Sequence, residues 1–199
     1  LRDRVAELLD LIHLPQDVAD RPVRSLSGGQ KQRINLARAL AAEPDLLLCD
    51  EVTSALDTVV GAAILGLIDD LRRKLGIATV FISHDISTVR SFCDQVLVLY
   101  GGTVVEQAAR QQFAAGPHHP YTSLLMQSVP ALRQGWLEQG AAVEQPALPA
   151  APLAQGLCRF LARCPVAVAG LCDTTPPPLQ RAQGHDWLCH HSPAALATS

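Results

Sequence analysis

The chain has 199 residues, a length that suits one domain with an extension. Apolar residues make up 48% of it, so it can bury a core, and its net charge of −3 comes without a basic block. A nucleic-acid-binding surface is therefore not expected. The longest uncharged stretch, residues 111–132, is interrupted by glycine and proline and does not predict a membrane span. No signal peptide is recognised, which predicts a cytoplasmic protein.

The first third of the chain predicts two helices. Apolar residues recur at helical spacing over Arg2–Ile12, and Pro15 and a connector to Leu26 follow. A second helix is predicted over Ser27–Ala41, where Ser27 and Gln30 have the spacing of a capping box. Gly28 and Gly29 carry no side chains, so a ligand can approach the backbone closely. Because a helix start favours anions, this segment is either a phosphate-binding site or an ordinary capped helix.

An acidic pair follows the next element, a strand predicted over Leu46–Cys49. The strand is apolar on both faces, as in a buried parallel sheet, and Asp50 and Glu51 come directly after it. Ligands of open α/β sheets bind beyond the carboxyl ends of the strands. Carboxylates there suit Mg²⁺ and the activation of a water molecule. A solvated strand end without chemistry is the alternative interpretation of the pair.

The rest of the first half alternates between helix and strand. The pattern predicts a helix over Thr58–Leu75, a buried strand over Ala78–Ile82, a short helix over Ile86–Phe92, and a hairpin of Gln95–Tyr100 and Thr103–Val105 around Gly101 and Gly102. This order predicts an α/β fold with a mostly parallel sheet flanked by helices and an antiparallel edge.

Four motifs in this order resemble the ATP-binding-cassette (ABC) ATPase family. They are Leu26-Ser27-Gly28-Gly29-Gln30, Cys49-Asp50-Glu51, Ser54-Ala55-Leu56-Asp57 and Ser83-His84-Asp85. One departure is Val52, where the family usually has proline, and it affects the turn rather than the chemistry. The phosphate-loop pattern G-x-x-x-x-G-K-[ST] does not occur in the 199 residues. By resemblance, residues 1–110 are the C-terminal part of a P-loop NTPase cassette. The 199 residues alone are not expected to bind ATP tightly or to hydrolyse it, because the phosphate loop is not among them.

The resemblance also implies roles for single residues. Asp50 would hold Mg²⁺ through water, Glu51 would orient and polarise the attacking water, and His84 would donate a hydrogen bond to the γ-phosphate. In the family, two cassettes pack head to tail, so Ser27, Gly28, Gly29 and Gln30 would cover the ATP held by the other cassette. Asp57 would connect the two cassettes, and it also suits the N-cap of the next helix. His84 alone, without the family register, is an ordinary polar residue at a strand end.

A second motif points to a transport subfamily. His119-Pro120-Tyr121-Thr122, followed by Leu124 and Leu125, resembles the HPYT motif of oligopeptide, dipeptide and nickel importers, and it lies in a helical region predicted over residues 111–133. The resemblance implies an ATPase on the cytoplasmic face of the inner membrane. Its partners would be an identical or different second cassette, membrane permease subunits and, indirectly, a solute-binding protein. A soluble ABC ATPase of DNA or ribosomes, and an inactive remnant without a phosphate loop, stay open as alternatives.

A linker and a cysteine-rich tail are predicted for the end of the chain. Residues 134–156 are rich in Ala, Pro, Gln and Gly, as flexible linkers are. The tail, 157–199, contains Cys158, Cys164, Cys172 and Cys189, which in a cytoplasmic protein indicate metal rather than disulfides. The tail resembles that of importer ATPases, some of which hold a [4Fe–4S] cluster. Structural Zn²⁺ and free thiols are the alternatives. The prolines predict loops there, so bound metal would provide the missing stability.

Overall fold

The computed structural model describes residues 1–54, 56–128 and 156–197, which form two compact units, Leu1–Asp85 and Ile86–Ser199. The predicted linker, residues 134–156, lies outside the described residues except for Gly156, as do residues 129–133 of the predicted helical region. Among the described helices, none is both long and apolar enough to cross a membrane.

The first unit contains three helices and two strands, and their bounds agree closely with the predicted ones. They are α1 (Arg2–Leu11), α2 (Gly28–Leu40), β1 (Leu46–Asp50), α3 (Thr58–Leu75) and β2 (Ala78–Ile82), with 3₁₀ turns at Gln16–Asp20 and Val23–Ser25. Helix α3 begins at an Asp57 cap and ends at Gly76 in the left-handed conformation, as its sequence predicts.

Strands β1 and β2 pair in parallel, with Leu46 opposite Ala78 and Asp50 opposite Ile82. This register brings the carboxyl ends of the two strands together. The inward side of β1 is buried: Leu47 and Cys49 line one cavity together with Leu36 of α2 and with Ile64 and Ile68 of α3. Cys49 is therefore part of the core of this unit.

The prediction that both strands are buried on both faces is wrong for the described residues. Leu46 and Leu48 are 56% and 63% exposed, and Val80 and Ile82 of β2 are 45% exposed. Helices α2 and α3 cover one face of the pair, and no described element of this unit covers the other. Continuous apolar sequence therefore marks a face suited to burial, but it does not show what buries it.

The second unit is built on an antiparallel sheet. Its elements are α4 (Ile86–Phe92), β3 (Gln95–Tyr100), β4 (Thr103–Ala109), α5 (Arg110–Ala115), α6 (Pro120–Gln127), a 3₁₀ turn at Leu161–Arg163, β5 (Leu179–Ala182), β6 (His185–Leu188) and α7 (Pro193–Ala197). The strand order is β3-β4-β6-β5, with every pair antiparallel. Buried Val96, Val98, Val105 and Phe113 form its core.

This sheet corrects the predicted fold class in one respect. The fold is α/β as predicted, but the described residues contain two parallel strands and four antiparallel ones, so the sheet is not mostly parallel. Strand β4 continues to Ala109 instead of ending at Val105. The additional residues pair with β6 of the tail, where Glu106 lies opposite Trp187 and Ala108 opposite His185. The tail thus has regular structure despite its prolines, because an existing strand edge supplies its hydrogen-bond partners.

Candidate functional site

The predicted acidic pair lies at the paired strand ends of the first unit. Asp50 is the last residue of β1 and is exposed, and Glu51 follows it. The Glu51 N–H donates to the Ile82 carbonyl at the end of β2, 2.9 Å away. Glu51 has a φ of 47°, a left-handed conformation that is uncommon for a residue with a Cβ. Such conformations cluster at functional sites, where the surrounding structure enforces them.

Glu51 and His84 form a direct contact although 33 positions separate them in the chain. His84 Nδ1 lies 2.9 Å from Glu51 Oε1, and because a carboxylate only accepts, Nδ1 carries the proton and donates it. The hydrogen bond to Glu51 and the negative charge of Glu51 raise the pKa of His84 above its ordinary value. The parallel pairing of β1 and β2 is what brings these two side chains together.

The start of α2 has the predicted capping box. Gln30 N–H donates to Ser27 Oγ at 3.2 Å, and Ser27 N–H donates to Gln30 Oε1 at 3.0 Å. The N–H groups of Gly28 and Gly29 remain as first-turn donors without a partner inside the helix. The two glycines and the helix dipole thus form a surface suited to an anion.

The start of α2 packs closely against the start of α3. A Cβ on Gly29 would lie 2.7 Å from Val60 Cγ1, whereas a Cβ on Gly28 would lie at an ordinary 3.7 Å from Leu56. Asp57 Oδ1 accepts the Val60 N–H at 2.9 Å, which confirms the N-cap interpretation of Asp57. Within the described residues, no hydrogen bond or ion pair joins residues 27–30 to Asp50, Glu51 or His84.

The four cysteines of the tail are brought together in the second unit, where they line one small cavity. Val168 N–H donates a hydrogen bond to Cys172 Sγ at 3.4 Å, and backbone groups near the other three sulfurs oppose the burial that raises their thiol pKa values. Burial raises the pKa of the Cys164 thiol to about 11, while the Val166 backbone bond lowers it. Sulfurs that line one cavity and have backbone N–H groups nearby are a suitable environment for thiolate ligands.

The HPYT segment holds the tail in place. His119 Nδ1 accepts the Tyr121 N–H at 3.1 Å and so caps α6, while the Leu188 backbone of β6 acts to raise the pKa of the ring. Burial lowers the pKa of His119 to about 4, so the ring is neutral near pH 7. Phe160, which is fully buried, packs against Tyr121 and Tyr100 with ring centroids 5.4 and 5.2 Å apart.

Two family models match the chain. The ABC transporter model matches residues 2–54, and the model named oligopeptide/dipeptide transporter, C-terminal region, matches residues 105–172. This chain belongs to the ABC transporter family. The predicted recognition, including the oligopeptide/dipeptide subfamily, is confirmed.

Relatives of this ABC protein extend over nearly the whole chain. A protein of Brucella abortus (strain 2308), named as a peptide import ATP-binding protein, is 41% identical over 187 residues, which are 94% of this chain and 55% of the relative. A Brucella ovis protein named in the same way is 39% identical over 193 residues, which are 94% of this chain and 59% of the relative. The chain therefore spans about half the length of the curated relatives it matches.

Solved ABC structures support the coarser part of the predicted fold class, an α/β ABC ATPase cassette. CbiO1 from Clostridium perfringens, part of the ABC transporter complex cbiONQ, is 34% identical with a TM-score of 0.54, over 57% of this chain and 45% of that one. The ATP-binding cassette MJ1267 in its ADP conformation has a TM-score of 0.55 at 21% identity, over 63% of this chain and 49% of that one. The second likeness shows the fold alone.

Sequence reasoning missed one cluster of this ABC protein. Glu106, His118 and His185 meet in the interior of the second unit. Twelve positions separate Glu106 from His118 and 79 separate it from His185, so no local spacing pattern marks them. The signal that could have indicated the cluster is a charged residue, Glu106, within the apolar run of β4.

Proposed function

We propose that this chain is part of an ATP-hydrolysing subunit that powers the import of peptides or related small solutes. The Glu51–His84 contact at the joined strand ends carries the proposal, because it places a proton acceptor and a hydrogen-bond donor side by side. The names of the relatives support peptides as the solute class. The subunit would lie peripherally on the cytoplasmic face of the membrane.

In the proposed mechanism, Glu51 accepts a hydrogen bond from the attacking water and polarises it. His84 donates Nδ1–H to Glu51, so its Nε2 is the atom that would face the γ-phosphate. Mg²⁺ bound with the nucleotide would neutralise phosphate charge, and the exposed Asp50 carboxylate is an oxygen donor suited to it, directly or through water. Positioning and charge stabilisation supply most of the catalysis in phosphoryl transfer.

The start of α2 would act on the ATP of a second cassette. The capping box uses the Ser27 and Gln30 N–H groups, which leaves the donors of Gly28 and Gly29 for a phosphate. Asp57 caps the neighbouring helix, so a movement of α3 would be transmitted to this surface through the Gly29–Val60 contact. The second cassette, identical or different, and the permease subunits are the direct partners in this proposal; a solute-binding protein acts indirectly.

We also propose that Cys158, Cys164, Cys172 and Cys189 hold a [4Fe–4S] cluster. Four sulfurs that line one cavity, one of which accepts a backbone hydrogen bond from Val168, fit the donor set of such a cluster. A cluster there would stabilise the tail. Structural Zn²⁺ is the alternative that the same donor set allows.

The test of the ATPase function is Glu51→Gln in the full-length subunit, assembled with its partner cassette and permease. Loss of the proton acceptor should reduce ATP turnover by about 10²–10⁴-fold. ATP should still bind, and cross-linking should detect a closed cassette dimer. Glu43→Gln removes the same charge from an exposed position away from the strand ends and should leave turnover unchanged. Wild-type turnover in Glu51→Gln would remove Glu51 from this role.

A further inference from the structure

Glu106 lies at the centre of a buried cluster in the second unit. Its Oε1 is 2.8 Å from His118 Nδ1 and 2.9 Å from His185 Nε2, and its Oε2 accepts the His119 backbone N–H at 2.7 Å. The Glu106 side chain is fully buried, and those of His118 and His185 are 14% and 6% exposed. The three ligand-type atoms all lie within 4.8 Å of one another.

The charge of this carboxylate requires compensation. Burial raises the pKa of Glu106, but opposing contributions, led by the hydrogen bond to His118, outweigh it, so the pKa lies below its ordinary value. Glu106 is therefore ionised at neutral pH. Its ion-pair partners among the described residues are imidazoles, not lysine or arginine. A fully buried carboxylate whose two side-chain ion-pair partners among the described residues are imidazoles, which are themselves metal ligands, is a favourable position for a cation.

We propose that Glu106, His118 and His185 form a binding site for a first-row divalent transition metal of the Zn²⁺ type. Two imidazoles and one carboxylate are donors that such ions prefer, and no thiolate is among them. A metal about 2.1 Å from each ligand at tetrahedral angles needs ligand atoms about 3.4 Å apart. Two of the observed ligand–ligand distances, 2.8 and 2.9 Å, are shorter than this, so binding requires the imidazole nitrogens to move about 0.5 Å away from the Glu106 oxygen.

The site would connect three separate segments of the unit. Glu106 lies on β4, His118 lies just before α6, and His185 begins β6. An ion held by all three would fix the HPYT segment and the tail strand β6 to β4, one of the two central strands of the sheet. Because the donors differ from those of the cysteine cavity, the two sites should differ in metal preference and in spectrum.

The test is Co²⁺ titration of the metal-free 199-residue chain under anaerobic conditions. We expect one equivalent with d–d bands of a nitrogen/oxygen site and no thiolate charge-transfer band, and this component should remain in Cys164→Ser. His118→Gln keeps size and hydrogen bonding but removes the imidazole ligand, so it should weaken this component by more than about 100-fold, which exceeds the loss of an outer-shell partner. His13→Asn, which removes an exposed histidine outside the cluster, should have no effect.

A second measurement needs no variant and so does not depend on whether His118→Gln folds. ¹¹³Cd NMR of the wild-type chain should show a resonance in the nitrogen/oxygen range, separate from any thiolate-type resonance. A spectrum with thiolate-type signal only would overturn the proposal. A Co²⁺ component of the nitrogen/oxygen type that survives His118→Gln in the folded variant would also overturn it.

Discussion

Glu51 shows how a single residue's backbone contributes to the site. Its left-handed φ of 47° turns the chain directly after β1, and the turn is held by the Glu51 N–H bond to Ile82 and by the Ser54 hydroxyl, which donates to the Glu51 carbonyl at 2.9 Å. Val52 stands where the family usually has proline, yet the turn forms. The hydrogen bonds around Glu51 therefore fix this conformation without the restricted φ of proline.

The Glu51–His84 contact predicts a measurable pKa difference. The pKa of His84 is raised first by its hydrogen bond to Glu51, then by the charge of Glu51, and least by Asp85. Glu51→Gln removes the negative charge that stabilises the protonated ring. The neutral form of His84 therefore becomes more stable relative to the imidazolium, and the pKa of His84 should fall toward its ordinary value. A ¹H–¹⁵N NMR titration of the His84 ring in both proteins measures this.

Asp85→Asn is the matched control for that titration, because it removes a neighbouring charge that makes the smallest contribution to the His84 shift. Its effect on the pKa of His84 should be smaller than that of Glu51→Gln. Equal effects of the two substitutions would mean that the total negative charge nearby, rather than the 2.9 Å contact with Glu51, sets the pKa of His84.

At the scale of elements, the contact between α2 and α3 makes the two neighbouring glycines unequal. A Cβ on Gly29 would clash with Val60 Cγ1 at 2.7 Å, so Gly29→Ala should lower the free energy of unfolding by about 1–3 kcal/mol. A Cβ on Gly28 would make only an ordinary van der Waals contact. Gly28→Ala should therefore leave the free energy of unfolding unchanged, or raise it by up to about 1 kcal/mol through the higher helix propensity of alanine. Urea unfolding of the two variants compares them directly.

A double-mutant cycle identifies the cause of the Gly29 effect. In a Val60→Ala background the clashing methyl group is absent, so Gly29→Ala should lower the free energy of unfolding only slightly. If its cost is the same in both backgrounds, the contact with Val60 does not explain why this position needs glycine.

The elements that the sequence predicted well are those whose signals are local. Helix α3 has an apolar stripe, an Asp57 cap and a Gly76 stop within one segment, and its bounds are those predicted. Strands β5 and β6 have four residues each, and their formation depends on β4, which lies far away in the chain. Pairing at such separations leaves no periodic pattern, and this is why the tail's strands escaped prediction.

At the scale of the whole molecule, the same distinction applies to the two groups of functional residues. Glu51 and His84 could be predicted to meet, because each follows a strand and parallel strands end at the same edge of a sheet. Glu106, His118 and His185 could not, because an antiparallel partner from the far end of the chain completes their cluster. The family motifs located the first group, and only the fold locates the second.

The tail contains only a small apolar core of its own among the described residues. Its buried side chains among the described residues 156–197 include Phe160, Cys172, Trp187 and Cys189, a small apolar set for a segment of this length. Small modules with so little core usually rely on metal or disulfides, and all four tail cysteines are free thiols in the structure. The proposed cluster would therefore contribute directly to the folding of this segment.

Anaerobically purified protein should accordingly be brown, with the broad visible absorbance of an iron–sulfur cluster, and iron and acid-labile sulfide should be present in equal amounts. Cys164→Ser removes one ligand from the cavity, so it should bleach the colour and make the tail more sensitive to protease. Cys93→Ser changes a half-buried cysteine outside the cavity and should retain both colour and protection. A colourless preparation with stoichiometric zinc in the cysteine cavity would mean that the site binds Zn²⁺ rather than an iron–sulfur cluster. A tail that resists protease without metal at the cysteines would refute metal-dependent folding.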